Sequence, residues 1–176
     1  ELGKDCLCIH LTYVPFVAAA GELKTKPTQH SVKELQQEGV QPDVLVLRAE
    51  HPITPEVRKK VALFCNVDSE AVIESADVKT IYEVPIRMQQ EGLDRVVLKR
   101  LGINPDDTVA DMKQWNFFLD KLHNATEEVK IALVGKYTQL HDAYISVVEA
   151  LKHGGVANSA EVNIKWVDSE TVNKDN

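Results

Sequence analysis

No stretch of this sequence is apolar for long enough to cross a membrane as a helix, which takes about 18 or more consecutive apolar residues. The longest run near the start, Tyr13 to Ala20, is short and is broken by Pro15. The opening residues Glu1-Leu2-Gly3-Lys4-Asp5 lack the basic start of a secretory signal. The expectation is a cytoplasmic protein with no membrane partner. Basic charge is also in short supply. With 20 Lys and Arg against 27 Asp and Glu, the formal charge is −7. That balance argues against broad nucleic-acid binding, which favours a basic face. It leaves room for a small basic pocket around a phosphorylated ligand. Cysteine is scarce and odd in number, at Cys6, Cys8 and Cys65. Buried free thiols in a reducing compartment are expected. Cys6 and Cys8 would face opposite sides of a strand, and no Cys/His cluster follows. The histidines His10, His30, His51, His123, His141 and His153 show no metal spacing, so no metal ligand is nominated. The Gly-x-x-x-x-Gly-Lys phosphate loop is missing, and no cysteine sits in a glycine-flanked nucleophile elbow. No residue of this chain is therefore nominated as catalytic.

What is present is an alternation of strands and helices. Of the 176 residues, 44% are apolar, enough for a core. Cys6 to Tyr13 reads as a buried strand, Ser31 to Glu38 as a short helix stopped by Gly39, and Asp43 to Arg48 as a strong strand. Thr54-Pro55-Glu56 opens a helix to about Phe64: Thr54 can cap it, Pro55 suits its first position, and Glu56 suits its positive end. Ala71 to Glu74 reads as a strand. Helices are expected around Ile81–Gln90, Asp94–Leu101 and Val109–Leu122. In the last of these, Met112, Trp115, Phe118, Leu119 and Leu122 recur at helical spacing and form a packing face. A second unit follows Asn124: a strand over Glu128–Gly135, a helix over Asp142–Lys152 stopped by Gly154-Gly155, and a strand over Glu161–Val167. Strand, helix, strand implies a parallel crossover. Two strands and one helix do not close a doubly wound domain, so this unit is expected to be truncated.

The segment with the most chemistry is Gly21-Glu22-Leu23-Lys24-Thr25-Lys26-Pro27-Thr28-Gln29-His30-Ser31. It follows the carboxyl end of the first strand, the side where open parallel sheets bind ligands. Lys24 and Lys26 supply two ammonium groups for a polyphosphate. Thr25, Thr28 and Gln29 add hydrogen-bonding groups, and Pro27 stiffens the connection. A helix starting near Ser31 would aim its positive end at the same place. On its own this pattern is also that of a solvated basic loop, and His30 reads equally as a polar helix-start residue.

The wider sequence resembles the CTP synthase family. The likeness runs through His10-Leu11-Thr12-Tyr13-Val14-Pro15, Ala18 to Glu22, Lys24 to Leu35, Gly39-x-Gln41-Pro42-Asp43 and Ala62 to Val67. It resumes at Gly135-Lys136-Tyr137 and continues to Gly155, so it covers nearly the whole chain in order. The resemblance implies a P-loop, dethiobiotin-synthetase-like parallel-sheet amidoligase domain, present in part (1–103). An interdomain linker helix (104–127) and the first β-α-β unit of a class I glutaminase domain (128–176) would follow. It implies that glutamine hydrolysis feeds ammonia to an amidoligase, which phosphorylates UTP at O4 with ATP and Mg²⁺ and then forms CTP. Lys24, Thr25, Lys26, Pro27, Thr28 and Gln29 would contact UTP, or CTP as inhibitor, joined by Lys60. Ala76, Asp77 and Val78 would line the ATP base. Ala76 stands where the family commonly has Lys, so that contact would run through the backbone. Asp77 also reads as a helix cap before Lys79. The Mg²⁺ carboxylates would lie upstream of Glu1 and the glutaminase nucleophile beyond Asn176. The nucleotide pocket would form between subunits of a homotetramer. Two other readings stay open: a non-catalytic nucleotide-binding or assembly module, and another amidoligase of similar fold acting on cobyrinate or dethiobiotin precursors.

Overall fold

The computed structural model of the protein describes residues 5–172. Residues 1–4, most of the stretch weighed against a secretory signal, lie outside the described part, as do residues 173–176 of the expected second unit. The chain divides between Ala110 and Asp111 into two compact α/β units.

In the first unit β1 (Ile9–Tyr13) is followed by a small antiparallel hairpin of β2 (Phe16–Val17) and β3 (Glu22–Leu23). Then come α1 (Lys26–Gln37), β4 (Val44–Ala49), α2 (Pro55–Cys65) and β5 (Val72–Ala76). The three longer strands form a parallel sheet in the order β1-β4-β5, with Ile9 opposite Val44 and Leu45 opposite Val72. Parallel neighbours need a crossover, and α1 and α2 supply it. β4 is apolar at four successive positions because both its faces are covered. Leu45, Leu47 and Ala49 join Val14, Val32, Val61 and Cys65 on one side. Val44 and Val46 join Ala71 and Ile73 on the other, under Met88 of α3 (Val84–Gln90) and Leu93 and Val96 of α4 (Leu93–Arg100). On β1, Thr12 is buried with the first cluster's side while Ile9, Leu11 and Tyr13 are exposed on the opposite face.

The outer edge of β5 is closed by side chains. Asp77 N–H reaches Ala49 O at 3.1 Å, so by alternation Val72 and Glu74 point their backbone groups away from β4. Arg58 donates to the Val72 carbonyl, Glu91 accepts from Glu74 N–H at 3.1 Å, and Arg58 and Glu91 pair at 2.8 Å. An ion pair thus occupies backbone groups that would otherwise template another strand.

Several boundaries differ from the sequence reading. α2 starts as expected: Thr54 Oγ1 accepts from Val57 N–H, and Asn66 ends the helix in the left-handed region at φ 54°. α1 starts at Lys26 and not near Ser31. Pro27 is preorganised for a first helical turn, and a turn made of polar residues carries no apolar periodicity to reveal it. α5 (Lys113–His123) starts four residues later than expected, because the Asp111 carboxylate takes Lys113 N–H at 3.0 Å and forms a local turn there. Cys65 is buried as expected, but Cys6 is exposed and Cys8 half-buried; strand β1 begins at Ile9, leaving both outside the ladder.

In the second unit β6 (Glu127–Gly135), α6 (Ile145–Ala157) and β7 (Ala160–Asp168) form the expected parallel crossover, paired from Glu127–Ala160 to Gly135–Asp168. α6 does not stop at Gly154-Gly155 but runs through both to Ala157. Gly155 is needed for close packing: a Cβ there would lie 2.5 Å from Ala160 O and 2.7 Å from Val162 Cγ2. α5 lies on α6 with Leu119 buried and the Phe118 ring edge-on to His153 at 5.7 Å. Among the described residues no helix is long and apolar enough to cross a membrane.

Candidate functional site

Because β1, β4 and β5 are parallel, their carboxyl ends share one side of the sheet, where ligands gather in open α/β folds. Both segments nominated from sequence lie there. The first is the start of α1. The hairpin turns at Gly21 (φ +63°), where a side chain would be strained. The chain is then tied back by Lys24 N–H to Pro15 O at 2.9 Å. Lys26 and Pro27 are exposed in the first turn of α1. Thr25 is 5% exposed and accepts from Gln29 Nε2 at 3.1 Å. Thr28 is fully buried; its hydroxyl donates to Tyr13 O at 3.1 Å and accepts from Thr12 Oγ1 at 3.3 Å. Its side chain is therefore used inside the fold and has no surface for a ligand.

Next to this turn lies a cavity of about 470 Å³. Glu22 and Thr25 line one wall, and Thr54, Glu56 and Lys60 of the α2 region line the other. The structure thus brings Lys60 to the same cavity as Thr25, across 35 positions of sequence. Lys24 pairs with Glu22. The Glu22 carboxyl is held below its ordinary value chiefly by the hydrogen bond from Lys24, then by the Lys24 charge, with a smaller pull from Lys60. Two ammonium groups therefore act on one carboxylate at the mouth of the cavity, an arrangement that also suits an oxyanion. Glu56 is lowered too, by its own backbone N–H and by Thr54. Each wall of the cavity thus carries a carboxylate and a lysine: Glu22 with its partner Lys24 on one, Glu56 and Lys60 on the other. Phe16 and His51 pack edge-on at 4.2 Å in the same lining.

The second segment is Ala76-Asp77-Val78, at the end of β5. Asp77 does not cap a helix; Thr80 does, accepting from Tyr82 N–H. Asp77 instead faces Arg48 at 3.5 Å, with both side chains at least half exposed. Beside them Tyr13 donates to Glu50 at 2.8 Å, and that bond is the main cause of the raised pKa of its hydroxyl. The sequence reading missed Arg48, Tyr13, Glu50 and the Phe16–His51 pair. Only the register that sets Tyr13 opposite Arg48 and Arg48 opposite Ser75 reveals the first cluster. His30 is exposed, whereas His10 bonds Ser31 Oγ at 2.8 Å. The Cys65 thiol is pushed up by burial, which disfavours the thiolate. Among the described residues no group of three His, Cys, Asp or Glu side chains is placed to hold a metal ion.

Residues 1–103 match the family model described as CTP synthase N-terminus. The whole chain is similar to a CTP synthase of Porphyromonas gingivalis, 54% identical over 176 residues. A CTP synthase of Bacteroides thetaiotaomicron is 56% identical over 178 aligned residues, and one of Clostridium kluyveri 51% over 177. In each comparison all of this chain is covered, and it spans about a third of the relative's length: 32% of the first and 33% of the other two.

Proposed function

The chain belongs to the CTP synthase family, and from that membership we propose that it is the part of such an enzyme that holds the UTP or CTP triphosphate. The similarity along the entire chain sets aside the other amidoligases considered from sequence. The observation that carries the reading is the shared cavity. Thr25, at the start of α1, and Lys60, on α2, meet there, with Lys24 bound to a carboxylate that also lines it. Lys24, Lys26 and Lys60 supply the cations, and the first turn of α1 adds its positive end. Pro27 sets the direction of that turn, while Thr25 and Gln29, bonded to each other, form its inner wall. Binding would exchange Glu22 for a phosphate oxygen on Lys24. Ala76, Asp77 and Val78 would receive the ATP base at the end of β5.

In this reading residues 1–103 are part of a P-loop, dethiobiotin-synthetase-like amidoligase domain, residues 104–127 hold the interdomain linker helix, and residues 128–176 open a class I glutaminase domain. Glutamine would supply the ammonia, and the enzyme would work as a cytoplasmic homotetramer. Mg²⁺ would accompany the nucleotides. The residues described here do not fit a metal site, so no step assigned to this chain runs through the ion. What these residues do is bind and orient the triphosphate.

The test is Lys24→Ala and Lys60→Ala in the full-length enzyme. A hydrogen bond to a charged group contributes about 1.5–3 kcal/mol, so each variant should weaken UTP by about 10- to 150-fold and leave glutamine kinetics largely unchanged. Equal effects on both substrates, or none on UTP, count against the assignment.

A further inference from the structure

We infer that Thr28 is a positioning residue of the nucleotide site: a hydroxyl chain from Thr12 through Thr28 to the Tyr13 carbonyl latches the first turn of α1 to the end of β1 and thereby sets where Lys24 and Lys26 stand. The inference rests on the triphosphate reading above and deepens it.

Thr28 lies inside the run nominated for nucleotide contact, yet it is 0% exposed. Both functions of its hydroxyl are used, one as donor to Tyr13 O and one as acceptor from Thr12. The direction of the Tyr13 carbonyl fits this bond. Val14 N–H bonds Arg48 O at 2.8 Å, so by alternation the Tyr13 carbonyl points away from β4. No strand borders β1 on that side among the described residues. The carbonyl faces the first turn of α1, and Thr28 pairs it there.

The second half of the argument is what lies between the ties. Upstream of α1 the chain is held by Lys24 N–H on Pro15 O. Downstream it is held by Thr28 on Tyr13 O. Both anchors are carbonyls just at the end of β1, two residues apart, and Lys24, Thr25, Lys26 and Pro27 are clamped between them. Pro27 has no N–H with which to add a backbone tie of its own. If the downstream tie is lost, the turn can shift against the strand while α1 and the core below stay in place. The ammonium groups and the free backbone donors of the turn then meet the phosphates at longer distances.

The experiment uses the full-length enzyme and steady-state kinetics against UTP and glutamine, at a temperature where each variant is folded. Thr28→Val keeps the shape and removes the hydroxyl; Thr28→Ser keeps the hydroxyl. Loss of one such hydrogen bond should raise the KM for UTP by about three- to tenfold in Thr28→Val, with kcat and the glutamine KM within about twofold of the parent. Thr28→Ser should restore the UTP KM to within about twofold. Should Thr28→Val fail to fold, Thr12→Val removes only the supporting donor, and a rise of about twofold in the UTP KM is expected. A Thr28→Val enzyme that melts earlier but keeps its UTP KM overturns the latch, as does a Ser variant as impaired as Val, or an unchanged KM in Thr12→Val. The Lys60→Ala enzyme separates the two claims. If it binds UTP poorly while Thr28→Val binds normally, only the latch fails. If both keep the parental UTP KM, the triphosphate reading fails and the latch with it.

Discussion

Breaking the side-chain closure on β5 should cost the first unit about 2 kcal/mol, and the value follows from where the pair sits. Arg58 and Glu91 have side chains 26% and 29% exposed. An exposed ion pair contributes about 0–1 kcal/mol, whereas removing one partner of a buried pair costs about 3–5 kcal/mol. A pair that is roughly one-quarter exposed falls between these limits. Arg58→Met leaves the Val72 carbonyl unpaired and takes the cation from Glu91; Glu91→Ala leaves the Glu74 N–H unpaired and takes the anion from Arg58. Each loss should lower the unfolding midpoint of the unit that contains them by about 8–16 °C. The two substitutions should not add, because they remove the same contact, and a coupling of about 1–2 kcal/mol is expected from the double-mutant cycle. Urea or thermal denaturation of the full-length protein measures the cycle. Amide exchange across Val72–Ala76 reports whether the edge opens locally. Single variants within about 0.5 kcal/mol of the parent, or additive losses with unchanged exchange at Glu74, would show that the pair is a solvated surface contact and that the edge is closed by something else.

The neighbouring glycines of α6 should behave in opposite ways. Gly155→Ala puts a methyl group against the Ala160 backbone and should destabilise by about 1–3 kcal/mol despite better helix propensity. Gly154→Ala meets nothing within 4 Å and should stabilise by about 0.5–1 kcal/mol; paired melting curves decide. Alkylation followed by mass spectrometry at pH 8 should modify exposed Cys6 well before Cys65. Because burial raises the Cys65 pKa above 9.0, folding suppresses its ionisation. Its contribution to stability is thus intact below that pH and falls as pH rises toward the folded value. Equal labelling rates in the native protein would contradict the burial.

Much of the architecture was legible because it rests on local chemistry. Four successive apolar β-formers at Val44–Leu47, after a Gln-Pro turn, read as a strand, and the fold covers both its faces. Thr54-Pro55-Glu56 capped α2 where those residue types belong. The β6-α6-β7 crossover followed from strand, helix, strand order. The same local signals misled where tertiary contact overrode them. Gly154-Gly155 looked like a helix stop, but the absence of a side chain at Gly155 is what lets α6 approach β7. The polar start of α1 carried no periodicity, so Lys26–His30 was read as a connection and is helix.

For the site, the sequence by itself determined the family and the residue types: lysines beside threonines at the end of a strand, with a further lysine downstream. Chemistry is encoded in side chains, so its presence can be read without coordinates. Only the tertiary structure decided which of those groups face a cavity and which are consumed by the fold. It set Lys60 in the same cavity lining as Thr25 and turned Thr28 inward onto Tyr13. It also gathered Arg48, Glu50 and Tyr13 around Asp77 from three strand ends. These relations depend on strand register and helix placement, which arise from packing between segments far apart in the chain, and no local pattern of residues records them.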